Sequence, residues 1–397
     1  MLSDLITARR AAGATAALAA LLATACFNVE GPDAPLDEFA FPQGLAVHPD
    51  GQFLYVVSTN FDGRYRDRVG GTLHVVDADN LALRPDDSAR IASFSGTPVL
   101  MPTRDGDRLL LPARGDRSLH VLQVSDSGGA VHCRGQNDTR ECRVPNLPAN
   151  PTAVLPLPSA DDGQQLVAVA SMSGRVSFVR LLDGRVESAE VASVRVSDGT
   201  NILALHPVLD TLYAGGRFDW GLYGLEWVTG DDGVAEVIVT TRRIPIGVDT
   251  TGRGVRIAEL RDIAFSSDGR RAYLSASSPS GVFVLDTSID PDTGLPRDRY
   301  IERLDVDGRP GDLVVLREND QDFLYVSASE RDEIVVLHAG SGRIVDRIPT
   351  GRRPWGLAAD TVRHGRLYVS LFEDNAIDVI DIDPGSPTWR TVVDTIR

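Results

Sequence analysis

Short apolar runs separated by turn residues recur from residue 42 to the C-terminus. Leu45–His48 and Leu54–Ser58 are apolar almost throughout, as strands covered on both faces are. Thr72–Asp77 alternates better, which fits a half-exposed strand, and Ala89–Phe94 completes a set of four. Asp50-Gly51 between the first two runs suits a tight hairpin. Beyond residue 25 no stretch shows a long helical period.

The same unit returns along the chain, and repeats of this kind decide the fold before any local detail does. Gln43-Gly44-Leu45-Ala46-Val47-His48-Pro49 leads into Leu54-Tyr55-Val56-Val57-Ser58, and Trp355-Gly356-Leu357-Ala358 leads into Leu367-Tyr368-Val369-Ser370. Five copies lie between them. Aligned on Leu45, Leu100, Val154, Leu203, Ile263, Leu313 and Leu357, the steps are 55, 54, 49, 60, 50 and 44 residues. Seven copies of four strands predict an all-β, seven-bladed β-propeller of four-stranded antiparallel blades. The chain enters on an innermost strand and finishes on Trp389–Ile396, a fourth strand for blade seven. No strand is then shared across the closure, so the ring must close by face-to-face blade packing, unless residues near Phe39–Phe41 add a strand.

The N-terminus carries a different pattern. Arg9 and Arg10 precede the apolar run Ala11–Ala25, which is short for a permanent membrane span. Leu22-Ala23-Thr24-Ala25-Cys26 resembles the bacterial lipobox, with Ala23 where a large aliphatic residue is usual. The resemblance implies a signal peptide over residues 1–25 and a lipidated Cys26. Residues 26–41 then form the tether and residues 42–397 the propeller. Phe27 after the cysteine points, by the enterobacterial rule, to the outer membrane of the cell envelope. Export would place Cys133 and Cys142 in an oxidising compartment. They bracket a polar loop and are expected to close it as a disulfide worth on the order of 2–3 kcal/mol.

A net charge of −16 opposes nucleic-acid binding and charge-driven docking on anionic bilayers. Three cysteines without a Cys-x-x-Cys build no cysteine-only zinc site. Gly-x-Ser-x-Gly, His-Glu-x-x-His and a phosphate-binding Gly-rich loop do not occur. Neither a cofactor nor a metal is expected. Asp290-Pro291-Asp292-Thr293-Gly294 echoes a calcium loop but lacks its distal Glu. Arg114-Gly115-Asp116 reads as an ordinary turn between strands.

The last copies carry a family likeness. Pro354-Trp355-Gly356-Leu357-Ala358, Arg366-Leu367-Tyr368-Val369-Ser370 and Ile377-Asp378-Val379-Ile380-Asp381 resemble the YVTN propeller repeat. In that repeat P-x-G-I-A leads to L-Y-V-T-N and then to V-x-V-I-D. The likeness spans nearly all of residues 42–397 and implies the propeller fold. Related seven-bladed propellers include sugar-acid lactonases, a streptogramin-opening lyase, quinone-enzyme subunits, surface-layer proteins and bare binding scaffolds, so fold alone does not transfer function.

In propellers the loops between blades, and those joining the second and third strands, gather over the central channel. The position two before each anchor gives Gln43, Pro98, Thr152, Asn201, Arg261, Gly311 and Trp355. One residue closer come Asp262 and Asp312, and Arg353 is a neighbour. Gln43, Asn201, Arg261, Asp262, Asp312, Arg353 and Trp355 are the candidate set for a small polar or anionic ligand, because guanidinium groups and an aromatic wall suit one. Phe61, Asp62, Arg64, Tyr65 and Arg66, with Phe218, Asp219 and Trp220, are the candidate partner loops. The expected function is an exported, lipid-anchored scaffold that binds a protein partner or small ligand at this face. The alternative is a lactonase-like or lyase-like enzyme using Asp262 or Asp312 with Arg261. The anchoring expectation is checked by fractionation: Cys26→Ser is expected to release the chain from membranes, and a variant that stays membrane-bound removes lipidation as the anchor.

Overall fold

The computed structural model describes residues 31–397 apart from 67–68, 126–128, 134–141, 159–163, 183–189, 219–220, 230–236 and 247–257. The export segment, Cys26, Asp219 and Trp220 therefore lie outside the described residues.

Seven separate antiparallel sheets follow one another along the chain, each built from one sequence unit. We number them as blades one to seven and letter their strands a to d from the centre outward. Among the described residues there is no α-helix. Strand b is the most buried in most blades: Phe53–Ser58 in blade one and Arg108–Ala113 in blade two are buried at every position. Its side chains alternate between two blade interfaces. Leu54 and Val56 pack towards blade seven with Tyr368, while Tyr55 and Val57 pack towards blade two with Leu109 and Leu111. Both faces of the strand are thus core, which explains its unbroken apolar run.

The outer strands are exposed and charged, as in Arg299–Leu304 and Ile344–Pro349. Charge on an outer strand discourages edge-to-edge pairing. In blade one the expected strand Ala89–Phe94 covers only Ala89–Ile91, and a second short strand, Ala82–Leu83, pairs with the same neighbour ahead of the 3-10 turn Pro85–Asp87. Blade two is interrupted in the same place. Val131–His132 and Arg143–Val144 both pair with Ser118–Val124, and the Cys133–Cys142 disulfide links the two halves.

The closure uses no shared strand. Strand d of blade seven is Val392–Ile396, paired within its own sheet. Phe39–Phe41 adds no strand to the seam. Instead Phe39 is buried against Leu45, Tyr368 and Ile377, and the Phe41 amide donates to Asn375 Oδ1. Joints between blades repeat one polar bond near the channel. The hydroxyls of Ser327 and Ser370 donate to the carbonyls of Trp355 (2.9 Å) and Gln43 (3.0 Å), each on the next blade, and Ser275 does the same to Gly311. The Ser370–Gln43 bond crosses the seam between blades seven and one. A Cβ at Gly356 would lie 2.0 Å from the Gln43 carbonyl oxygen, so only glycine allows the two blades to approach this closely.

Strand d of blade seven begins three residues later than the sequence implies because Arg390 takes a left-handed backbone, φ 60°, and turns its side chain into blade six. Its guanidinium lies 4.8 Å from the Phe323 ring centre and 4.1 Å from that of Trp389. It donates to Tyr325 Oη and to Glu318 Oε2 (2.8 Å), and both charged side chains are buried. Arg390→Met leaves the Glu318 carboxylate buried without its cation. The expected loss is about 3–5 kcal/mol, read from the denaturant midpoint, and Glu318→Leu in the same chain is expected to recover most of it.

Candidate functional site

The inner strands set the geometry of the channel mouth. Strand a of most blades carries a bulge just before the anchor: the ladder shifts between Pro42 and Gly44, Pro310 and Leu313, and Pro354 and Leu357. The residue four before the anchor is left-handed in six blades, and in blade two the left-handed residue is Phe94, six before Leu100. These are Phe41, Phe94, Asn150, Gly199, Glu259, Arg309 and Arg353, with φ between 54° and 76°. Glycine and asparagine take this conformation cheaply, whereas each of the other five costs about 1 kcal/mol or more.

This repeat corrects the alignment of blade two. Phe94 occupies the left-handed place, and the bridge Ser95–Ala113 is the counterpart of Pro42–Ser58 and Pro354–Leu371. Pro98 therefore holds the place of Leu45. Gly96, not Pro98, is the counterpart of Gln43. The sequence alignment slipped by two residues there because leucines at 100 and 109–111 offer several equivalent registers.

A cavity of about 380 Å³ opens at this mouth. Gln43, Asn201, Arg261, Asp312 and Trp355 line it, as do Thr152, Gly96 and Thr97. A smaller space of about 50 Å³ adjoins it, between Arg217, Arg261, Arg309, Asp312 and Trp355. Asp262 and Arg353 line neither. Asp262 is committed to a blade joint: its carboxylate accepts the amides of Ile263 (2.8 Å) and Leu313 (3.0 Å). Arg353 stands to one side, paired with Glu373 at 2.8 Å and stacked on Phe372.

Three further arginines belong to the site and were not in the candidate set: Arg309, two residues before Gly311, and the pair Arg114 and Arg217. Arg114 and Arg217 each follow the last residue of strand b, in the ring Thr59, Arg114, Met172, Arg217, Ser277, Ser329 and Phe372. The same alignment read one strand further would have found them. The Arg114-Gly115-Asp116 turn divides its roles. Asp116 bonds Ser118, His120 and Arg143, while Arg114 reaches the cavity over the Phe94 ring.

The electrostatics are uneven. Arg261 and Arg309 share Glu259. Arg114 and Arg217 have no carboxylate partner among the described residues, and the Nε of each is buried without a hydrogen bond. Burial, reinforced by Arg261, Arg114 and Arg309 and opposed in part by Glu259, pulls Arg217 down to about 10. A cluster that weakens its own protonation gains most from an anion. Asn201 Oδ1 is also unsatisfied there.

Asp312 faces the channel and accepts the Leu357 amide. Burial and the neighbouring Asp262 carboxylate raise it well above the ordinary range, and burial raises Asp262 too. Both residues are half-buried.

The partner-loop residues are mostly engaged within the chain. Arg64 pairs with Asp62, and Arg66 pairs with Asp33 and donates to the Gly31 carbonyl. Tyr65 is buried, bonded through its backbone to Asn60. Phe61 and Phe218 are exposed, and Phe61 joins the cavity lining. A larger cavity, about 730 Å³, lies on the opposite face between blades five and six. Its charges are mainly answered locally: Arg317 by Asp320 and Asp322, Arg271 by the Ala339 and Gly340 carbonyls, Asp268 by Ser266.

No family model matches the chain, and no curated protein matches its sequence. Solved structures do match its shape. Kuenenia stuttgartiensis hydrazine synthase is 16% identical over 91% of this chain and 99% of that one, with a TM-score of 0.59. A 6-phosphogluconolactonase-like protein of Bacteroides uniformis is 17% identical over 86% and 92%, with a TM-score of 0.56. The β-propeller domain of Cps50 (Swd1) from Myceliophteria thermophila is 15% identical over 86% and 97%, also at 0.56. At these identities the likeness is one of fold: the chain is a seven-bladed β-propeller.

With Asp262 and Asp312 raised, the folded chain holds protons that the unfolded chain has released. Their contribution is therefore full below the ordinary carboxyl value and declines as pH rises above about 4. Asp312→Asn is expected to flatten that decline, seen as unfolding midpoints that change less between about pH 4 and about pH 7 than those of the parent.

Proposed function

We propose that this propeller captures a small anionic ligand at the channel mouth, with Arg114 and Arg217 on its acidic group. The observation that carries the proposal is Arg217: a largely buried guanidinium, without a carboxylate partner among the described residues, beside three other arginines. Guanidinium groups present planar, paired donors that match carboxylate or phosphate oxygens. The acidic chain as a whole carries −16, so this local excess of positive charge is not a general property of its surface. The internal pairing of Arg64 and Arg66 favours a small ligand over a protein partner at this face. Export and attachment through Cys26 complete the proposal and would set the site in the cell envelope.

A second reading keeps the lactonase-like alternative, because Asp312 lines both spaces next to Arg261 and the shape neighbours include 6-phosphogluconolactonase-like proteins. Binding is the better-supported reading. Asp312 is tied to the Leu357 amide and favours its protonated form, which makes a poor base. Loss of lactone turnover in Asp312→Asn would reverse that order.

Arg217→Ala is expected to fold normally, since no described carboxylate loses a partner, and to weaken anion binding by about a hundredfold in calorimetry. Unchanged affinity for every anion that the parent binds would overturn the proposal.

A further inference from the structure

The mouth interleaves two unlike chemistries, with Arg114 over the Phe94 ring and Arg261 over the Trp355 ring. Blades two, four, five and six bring arginines to it, with Arg114 and Arg217 unpaired by any described carboxylate. Blades seven, one and two bring aromatic rings: Trp355, Phe61 and Phe94. Phe61 is 58% exposed and Phe94 36%. Neither ring is therefore spent on the core.

Phe94 is the more telling of the two. It occupies the left-handed place that recurs in all seven blades, at φ 57°. Glycine serves that place in blade four and asparagine in blade three. A bulky aromatic residue there works against the backbone. What it gains is a phenyl ring at the cavity wall, beneath Arg114, whose guanidinium lies 5.8 Å from the ring centre. Phe61 is braced from behind by Phe41 and Phe372, at 5.6 and 5.0 Å between ring centres, which holds it upright at the rim.

We infer that the ligand is an aromatic carboxylate, its acid group on Arg114 and Arg217 and its ring against Phe61, Phe94 and Trp355. The inference rests on the anion-binding reading above and adds the chemistry of the ligand's body. Aromatic rings prefer offset or edge contacts with other rings. The carboxylate is a planar fork that suits guanidinium donors. A cavity of about 380 Å³ is of the size that holds small-molecule ligands. A polyol acid would satisfy the arginines but leave the rings without a matching surface, and inorganic phosphate would use the arginines alone.

The test is calorimetry with three probes: 4-hydroxycinnamate, gluconate and inorganic phosphate. The parent is expected to bind 4-hydroxycinnamate about tenfold tighter than gluconate or phosphate. Phe61→Ala and Phe94→Gly are each expected to erase most of that preference while leaving gluconate affinity where it was. Phe94→Gly is also expected to keep or raise the melting temperature, because glycine adopts the left-handed conformation freely. A fall in melting temperature with the preference intact would make Phe94 a packing residue and overturn its role here. Equal binding of all three probes, with both phenylalanine variants silent, would overturn the aromatic inference and leave the anion site standing. If none of the probes binds, or if Arg217→Ala changes none of the affinities, the anion reading fails and this inference fails with it.

Discussion

Everything in this molecule depends on the joint between neighbouring blades. No sheet shares a strand with another, so hydrogen-bonded ladders hold each blade together but not the ring. The ring is held by strand b, whose alternate side chains enter the interfaces on either side. A strand that is core on both faces cannot turn over or slip by one residue without burying the wrong set. The serine–carbonyl bonds near the channel add register to this packing. Because the bond from Ser370 to Gln43 repeats the one from Ser327 to Trp355, the seam is a joint like the others. Gly356 is the local condition for it, since any side chain there would strike the Gln43 carbonyl.

The same joints create the mouth. Bulged inner strands break the ladder register, and a left-handed residue precedes the break in each blade; of these seven, Phe94 and Arg309 reach the mouth. Seven near-equivalent positions thus become available on a rigid rim, and their chemistry is free to differ from blade to blade. Here they are strongly unlike. Phe41 and Phe94 are aromatic, Asn150 and Gly199 are uncharged, and Glu259, Arg309 and Arg353 are charged. The site is a departure from the repeat laid over the repeat.

Much of this was legible in the sequence. The strands, the seven units, the independent closure and the Cys133–Cys142 bridge follow from the apolar runs and spacings, and the structure has them. Gln43, Asn201, Arg261, Asp312 and Trp355 were reached by counting back from an anchor, which works because a strand keeps its period of two from blade to blade. Asp262 was placed at the mouth by the same count, yet the bulge turns it to the Leu313 amide. Arg353 was included as a neighbour in sequence, and its left-handed backbone carries it to Glu373 instead. Blade two was misaligned because a run of leucines has no internal landmark.

The sequence by itself determined the architecture, because a repeated two-faced strand has few ways to bury itself and a ring of seven is one that covers every interior face. Only the tertiary structure decided which charges are answered. Arg64 and Arg66 look as available as Arg114 and Arg217 when read along the chain. Folding turns Asp62 onto Arg64 and brings Asp33 to Arg66, whereas Asp116, as near to Arg114 in sequence, turns to Ser118, His120 and Arg143, and Arg217 is left beside Arg261, Arg114 and Arg309. Ion pairing depends on distance through space, and for neighbours in sequence as for distant residues that distance is set only once the backbone has folded.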